Sequence, residues 1–266
     1  MVTAPSPAFA ARPASRPEDV RDLFGAPISA ATMEQALDRV EAAIYRRERL
    51  QIGVVNAAKI VNMRRDPLLR ADVLSSDVIY ADGMAVVWAS RLLGRALPER
   101  VAGIDLMKHI LARGAARGFR VFCLGATDEV LDKAVARMQA DYPGVLIVGR
   151  QNGYFDPGQD EAIACRIAET RPDILFVAMT SPKKENFLAR WSGLIGAPVC
   201  HGVGGSFDIL AGKVERAPEA WQRLGLEWLY RVKQEPRRLW RRYLVTNTLF
   251  CLMVLRELLL GRRRAG

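Results

Sequence analysis

Two polar side chains stand directly after apolar runs that are typical of buried strands. Asp82 follows the run at 78–80 and precedes Gly83, and Asn56 follows the run at 52–55. A carboxylate in such a place can take a proton from a hydroxyl group, and an amide can hold the hydroxyl groups of a sugar. Either side chain could instead cap the helix that follows it. The sequence leaves both interpretations open.

Two later loops have residues that could bind an anion. Ser181 and Pro182, followed by Lys183 and Lys184, predict a helix start with a Ser cap and with cations beside it. The glycine-rich loop HGVGGSFD at 201–208 has Gly204 and Gly205, whose backbone N–H groups could approach a phosphate or nucleoside closely. Asp208 ends this loop, which is not the GxGxxG fingerprint of dinucleotide-binding proteins.

Two further residues are weaker candidates. Arg100 lies in the loop PERVAG and could pair with a diphosphate, although such arginines often form only surface ion pairs. Tyr154 in GRQNGYF offers a flat ring that could stack on a base.

The elements that would position these residues alternate between strands and helices. We predict strands at 52–55, 78–80, 119–124, 146–148, 174–178 and 199–200, and helices at 31–45, 59–65, 67–74, 83–93, 104–117, 128–141, 160–170 and 182–194. This alternation predicts an α/β fold with a Rossmann-like, doubly wound, mainly parallel sheet. In such a fold the site lies beyond the carboxyl ends of the strands.

Composition limits the class of protein. The chain has 266 residues, of which 50% are hydrophobic and 26% charged, as in a globular protein with a core. The four cysteines are scattered and the two histidines do not have metal-ligand spacing, so no metal site is predicted. Residues 1–22 are rich in Pro, Ala and Ser and lack an export signal, which predicts a loose cytoplasmic tail before a catalytic core at 23–212.

The C-terminal segment, residues 213–266, holds most of the positive charge. It has 13 of the 39 Lys and Arg but 5 of the 29 Asp and Glu, so +8 of the net +10 lies there. A helix starting at Pro236 would place four arginines on one basic face, beside Trp240. These arginines are Arg237, Arg238, Arg241 and Arg242. The charge-free stretch 243–255 has 13 residues, short of the roughly 20 that span a bilayer, so we predict an amphipathic helix on an anionic membrane surface.

Taken together and in order, the motifs resemble the WecG/TagA/CpsF glycosyltransferases. They are VVNAAK, ADGMAVVWASRLLG, PERVAGIDLM, NGYFD, SPKKE and GVGGSFD, followed by a basic tail rich in Trp, Tyr and Arg. The resemblance covers residues 24 to 247, and the stretch 82–105 is its most specific part.

The resemblance implies an inverting, metal-independent enzyme without a cofactor. It would move a hexose or N-acetylhexosamine, of the ManNAc type or glucose, from a UDP-sugar to a polyprenyl-diphosphate-linked saccharide in cell-envelope polysaccharide synthesis. In the family, the Asp matching Asp82 is the proposed general base, and the residues matching Asn56 and Arg100 lie in the same pocket. The absence of any Asp-x-Asp motif agrees with this mechanism.

The resemblance also implies where the two substrates bind. Residues matching Tyr154, Lys184 and Asp208 fall near the UDP. Arginines of the C-terminal segment are thought to close over the site and touch the lipid diphosphate, and Arg231, Arg238 and Arg241 are the candidates. The expected location is the cytoplasm, peripheral on the inner face of the cell membrane. Whether the protein forms a homo-oligomer stays open.

Two positions depart from the family pattern. Many members have Thr where this chain has Val54, which removes a hydroxyl that could orient a substrate. Many also have Gln where Lys184 stands, and a cation beside the UDP could neutralise its diphosphate directly. Both changes leave the reaction class standing and the identity of the sugar open.

Two other classes of protein remain as alternatives. A Rossmann-type nucleotide-binding oxidoreductase would share the fold, but VVNAAK stands where GxGxxG would follow the first strand. A nucleic-acid-binding protein would explain the basic tail, but this tail interleaves Trp, Leu and Tyr with Arg as an interfacial helix does. We therefore expect no nucleic-acid partner.

Overall fold

The computed structural model describes residues 19–264, with side chains except those of 157 and 261–264. Residues 1–18 of the predicted tail therefore lie outside the described part of the chain. The strands of the described part are β1 (Val20–Leu23), β2 (Ala26–Ser29), β3 (Leu50–Val55), β4 (Val78–Ala81), β5 (Arg120–Gly125), β6 (Leu146–Gln151), β7 (Ile174–Ala178) and β8 (Val199–Gly202).

The helices alternate with the strands up to β8 and then follow one another. They are α1 (Met33–Arg46), α2 (Ala57–Met63), α3 (Pro67–Leu74), α4 (Met84–Leu92), α5 (Gly103–Ala115), α6 (Asp128–Asp141), α7 (Asp160–Glu169), α8 (Lys183–Ile195), α9 (Ser206–Leu210), α10 (Glu219–Arg223), α11 (Glu227–Gln234) and α12 (Pro236–Arg264).

The central sheet confirms the predicted fold class. Its six strands are all parallel and lie in the order β4-β3-β8-β7-β5-β6. Side chains alternate between its faces, as a strand requires. In β7, Ile174 and Phe176 pack with α1, α5 and α6, whereas Leu175 and Val177 pack with α7 and α8. Both faces are covered by helices, so the loops at the carboxyl ends of the strands are left to form a site.

The hairpin of β1 and β2 was not predicted from the sequence. It is antiparallel and separate from the main sheet, and it begins at Val20, inside the predicted tail. Its two turn residues are Phe24 and Gly25, both with positive φ (57° and 75°), which is the backbone geometry of a tight two-residue hairpin. Phe24 is buried and contacts Phe250 of α12 edge-on, at 5.4 Å between ring centroids.

The last helix, α12, is long and docked by one side. It packs on α2 and on the hairpin, and Leu239, Thr246 and Phe250 are its buried side chains. Its residues Pro236–Leu260 contain an 18-residue window with mean hydropathy 1.6, enough in length and composition to cross a membrane. The sequence prediction considered only the charge-free stretch 243–255, which is too short to span a membrane. The helix as a whole is long enough to do so. Because one face is docked on the core, however, only the other face is open to a partner.

Candidate active site

Asp82 directly follows β4 and is hydrogen-bonded to the start of α5. Its Oδ1 accepts a hydrogen bond of 2.8 Å from the backbone N–H of Gly103. The alternative prediction, that Asp82 caps α4, is wrong, because the cap residue is Gly83 and no side chain bonds to that helix end. The carboxylate instead satisfies one of the free N–H groups at the start of another helix, α5. It stays partly exposed, so the carboxylate can be reached from solvent.

Asn56 stands beside Asp82 at the end of the neighbouring strand, β3. Its Oδ1 accepts from the backbone N–H of Lys59 at 3.0 Å and caps α2, so the capping interpretation is correct. A side-chain carbon added to Gly83 would lie 3.3 Å from Asn56 Cβ. The structure thus brings the predicted acid and amide together at the ends of two neighbouring strands.

Arg100 belongs to a cluster of four charged side chains, which we call the charged cluster. Arg100 Nη1 lies 2.5 Å from Glu227 Oε2, and its Nη2 lies 3.4 Å from Asp105 Oδ2. Arg216 completes the cluster, with Nη1 2.6 Å from Asp105 Oδ1 and Nε 3.9 Å from Glu227 Oε1. Negative and positive side chains therefore alternate in the cluster. Glu227, the first residue of α11, connects that helix to the rest of the fold through its ion pair with Arg100.

Arg216 also interacts electrostatically with Asp82. Burial lowers the pKa of Arg216, but its hydrogen bond to Asp105 and the charges of Asp105, Glu227 and Asp82 together raise it above its ordinary value. Asp82 therefore interacts with the charge of Arg216 as well as with the N-terminus of α5. Arg216 and Glu227 were not predicted as site residues, because their partners lie more than 110 positions away in the sequence.

The glycine-rich loop lies beneath an arginine of the C-terminal segment. Gly204 has φ +56°, and a side-chain carbon added there would meet nothing within 4 Å. One added to Gly205 would lie 3.5 Å from Arg231 Nη2 and 3.9 Å from Asp208 Oδ2. Asp208 also pairs with Lys213 at 3.3 Å. Open backbone, two cations and one acid thus lie together at this loop, and exposed backbone N–H groups of this kind can bind a phosphate.

Tyr154 lies on a loop whose backbone is held by hydrogen bonds from Lys183. Its side chain is 78% exposed. Lys183 Nζ donates to the carbonyls of Gly153 (2.9 Å) and Phe155 (3.3 Å), on either side of Tyr154. A side-chain carbon on Gly153 would lie 3.0 Å from Gly125 Cα, at the end of β5. The ring is therefore presented to solvent from a fixed backbone, as a stacking surface would be.

Lys184 was predicted to lie beside an anion, and in the structure it forms an ion pair inside the protein. It is buried, and its Nζ lies 2.9 Å from Glu185 Oε1, an oxygen that also pairs with Lys59 at 2.8 Å. The predicted Ser cap of this helix is wrong, because Pro182 is the cap residue and makes no side-chain bond. Lys184 stands three and four residues before the buried Phe187 and Leu188, so it shares their inward face. That spacing was visible in the sequence and would have predicted burial.

The buried ion triad of Lys59, Lys184 and Glu185 has shifted pKa values. Burial, together with the charge of Lys59, lowers the pKa of Lys184 to about 8. Although burial raises the pKa of Glu185, the two lysines lower it to about 2. Glu185 therefore stabilises the fold above its unfolded pKa, near 4.5, and this contribution is lost as the pH falls toward 2.

A comparison with protein families decides which enzyme class fits this site. A family model described as "Glycosyl transferase WecG/TagA/CpsF family" matches residues 21–264, which is nearly the whole chain. The chain belongs to the WecG/TagA/CpsF glycosyltransferase family. Members act on a sugar donor and a lipid-linked acceptor in general. Neither the oxidoreductase nor the nucleic-acid-binding alternative is favoured by this match.

In this WecG/TagA/CpsF glycosyltransferase, the predicted C-terminal arginines divide into two groups. Arg231 lies at the glycine-rich loop. Arg238 pairs with Glu235, at 2.6 Å from Nε to Oε2, on the surface of α12. Three others on that helix are also exposed, namely Arg237, Arg241 and Arg242. Among the predicted arginines of the C-terminal segment, Arg231 is therefore the one that lies at the glycine-rich loop.

The exposed side of α12 carries a row of large apolar side chains besides its arginines. Side chains between 40% and 60% exposed follow one another along it, namely Trp240, Leu244, Val245, Leu252, Leu255, Leu259 and Leu260. We call this set the apolar stripe. In the glycosyltransferase it runs opposite the buried residues that dock α12 on the core.

The buried ion triad gives a stability prediction for the glycosyltransferase. Replacing Glu185 by Leu should lower the free energy of unfolding by about 3–5 kcal/mol, because two buried ammonium groups lose their partner. Lys184→Gln keeps the pair of Lys59 with Glu185, so it should cost less than about 1 kcal/mol. Urea unfolding of both variants at neutral pH measures the difference. Equal losses would show that Lys184 holds the structure as firmly as Glu185.

Proposed function

We propose that the protein transfers a hexose or N-acetylhexosamine from a UDP-sugar to a saccharide on polyprenyl diphosphate, with inversion and without a metal ion. One observation carries this proposal. A partly exposed carboxylate, Asp82, is fixed at a strand end by the backbone of Gly103, and its charge acts on Arg216 of the charged cluster. A base that interacts with a partly buried cation suits a reaction in which a hydroxyl attacks and a diphosphate leaves.

The donor would lie along the ends of β5, β7 and β8. Tyr154 offers its exposed ring to the uracil base, and the backbone of Gly204 and Gly205 approaches the diphosphate. Arg231 and Lys213 lie at that loop and would offset its charge. The support for this placement is the spatial order of these groups, from an aromatic ring to a cation-lined glycine loop.

The acceptor would enter between Asp82 and the C-terminal segment. Asp82 takes the proton of the acceptor hydroxyl. At the same time the oxygen of that hydroxyl forms a bond to the anomeric carbon of the donor. The bond from that carbon to the UDP oxygen breaks, and UDP leaves with the electron pair. Asn56 holds sugar hydroxyls, and Arg100 offsets the growing negative charge. Asp82 then returns its proton to solvent.

The membrane would be met by the apolar stripe together with the exposed arginines of α12. Each Lys or Arg near an anionic leaflet contributes about 1 kcal/mol of attraction. The stripe adds the apolar contact that keeps an interfacial helix in place. This arrangement supports a cytoplasmic protein bound peripherally to the inner face of the cell membrane, where a polyprenyl-linked acceptor resides.

Transfer assays test the proposed function. The full-length protein is incubated with UDP-glucose, UDP-GlcNAc or UDP-ManNAc and a polyprenyl-diphosphate-linked saccharide in anionic vesicles, with and without EDTA. We expect one donor to give UDP and a lipid-linked product in equal amounts, and EDTA to leave the rate unchanged. Product formation that stops in EDTA would contradict the metal-independent mechanism. Donor turnover with no need for a lipid acceptor would contradict the acceptor class.

The charged cluster gives a prediction about closure of the site. Glu227→Gln should lower kcat/KM about 3- to 30-fold, because α11 loses its ion pair with Arg100 and Arg231 is no longer held over the glycine-rich loop. Glu219→Gln is the matched control, since Glu219 forms an exposed pair with Arg223 on α10. Steady-state kinetics of both variants decide. Tighter UDP binding by Glu227→Gln would show that Glu227 competes with the substrate.

A further inference from the structure

A buried histidine lies behind the proposed base. His201, in β8, is fully buried and has no contact with solvent. Its Nε2 lies 3.0 Å from the carbonyl oxygen of Gly103. Because a carbonyl oxygen only accepts hydrogen bonds, Nε2 must carry the proton and donate it. This bond therefore requires the tautomer that is protonated at Nε2.

Gly103 connects this histidine to Asp82. The same residue that accepts from His201 through its carbonyl donates through its N–H to Asp82 Oδ1, at 2.8 Å. Gly103 is the first residue of α5, and its cap residue, Ala102, has no side chain that could hold this helix end. The first turn of α5 is thus held from two sides, by His201 in the core and by Asp82 at the site.

The surroundings keep His201 neutral. Burial lowers the pKa of His201 to about 4, against the smaller raising effects of the Gly103 and Ile52 backbone. A neutral ring adds no charge to the surroundings of Asp82 at ordinary pH. It can act there only through the direction of its N–H bond.

We propose that His201 is a positioning residue for Asp82, acting through Gly103. By donating from Nε2 to the Gly103 carbonyl, it fixes the N–H group to which the Asp82 carboxylate is bound, and so the direction in which that carboxylate faces the acceptor hydroxyl. This inference rests on the proposed function, in which Asp82 is the general base. No proton passes through His201 in the reaction.

A role in packing alone is the competing explanation. His201 contacts Phe176 edge-on, at 6.2 Å between ring centroids, so it also fills the core. His201→Met keeps a side chain of similar length without the donor, and His201→Gln offers an amide N–H near the position of Nε2. A packing role would affect the stability of both variants and leave turnover per folded molecule unchanged.

Kinetics and binding of these variants test the proposal. We expect His201→Met to lower kcat about tenfold while KM for the donor and Kd for UDP stay within twofold, and His201→Gln to restore most of the loss. In an Asp82→Asn background, His201→Met should cause no further loss. A tenfold loss that persists in that background, or a kcat of His201→Met equal to wild type, would overturn the proposal.

Spectroscopy of the wild-type protein gives a test that needs no variant to fold. Nitrogen NMR of the His201 ring should show a neutral imidazole protonated at Nε2 between pH 6 and 8, and a ring protonated at Nδ1 would overturn the proposal. The two proposals can fail separately. If Asp82→Asn is active, Asp82 is not the base and the proposed function fails. If Asp82→Asn is inactive and His201→Met is fully active, only the proposed role of His201 fails.

Discussion

Asp82→Asn should lower turnover by about 10²- to 10⁴-fold, because the acceptor hydroxyl loses the group that takes its proton. The substitution keeps the shape of the side chain, and an amide oxygen can still accept from Gly103 N–H. The site should therefore stay folded, and Kd for UDP should change by less than about twofold. Single-turnover transfer assays and calorimetry with UDP measure the two quantities separately.

A matched control for this substitution is Asp66→Asn. Asp66 caps α3 by accepting from Leu69 N–H, and Asn is as good a cap as Asp. It removes one carboxylate from a capping position outside the proposed site, so turnover should be that of the wild type. If Asp82→Asn kept near wild-type turnover, Asp82 would not be the base, and a different group would have to be sought beside the charged cluster.

The apolar stripe gives the second large effect. Replacing Leu252, Leu255 and Leu259 together by Gln should weaken binding to anionic vesicles by roughly 10²-fold or more. Each leucine is about half exposed, so moving it out of the lipid interface should cost at least about 1 kcal/mol. Co-sedimentation with vesicles measures binding. Transfer to a long-chain lipid acceptor should fall in parallel, while transfer to a short, water-soluble acceptor should not.

Three exposed leucines outside α12 serve as the control set for this experiment. Leu68, Leu146 and Leu194 are between 41% and 59% exposed, and their replacement by Gln removes as much apolar surface from elsewhere on the molecule. Vesicle binding that survives in the α12 variant, or that falls equally in the control variant, would show that α12 is not the membrane contact. Removing the whole C-terminal segment is a less direct test, because Leu239 and Phe250 would leave the core with it.

Much of the fold was predictable because its signals are local. The apolar runs ending before Asn56 and Asp82 predicted two strands that the structure shows side by side, with Val55 opposite Ala81. The hairpin was missed because its first strand, Val20–Leu23, begins in the segment predicted as a loose tail, and because its turn has Phe24 in a left-handed conformation that few bulky residues adopt. Gly25 was the available signal.

The sequence by itself determined the kind of elements, the two polar residues at strand ends and the concentration of positive charge near the C-terminus. Each of these depends on residues close together in the chain, through hydrophobic periodicity and strand termination. Only the tertiary structure decided the partners: Gly103 for Asp82, Glu227 for Arg100, and Glu185 for Lys184. The first two partners lie 21 and 127 positions away, where no local pattern specifies contact. Lys184 has its partner next to it, but the direction in which α8 packs, with Phe187 and Leu188 against the core, decided that both would be buried.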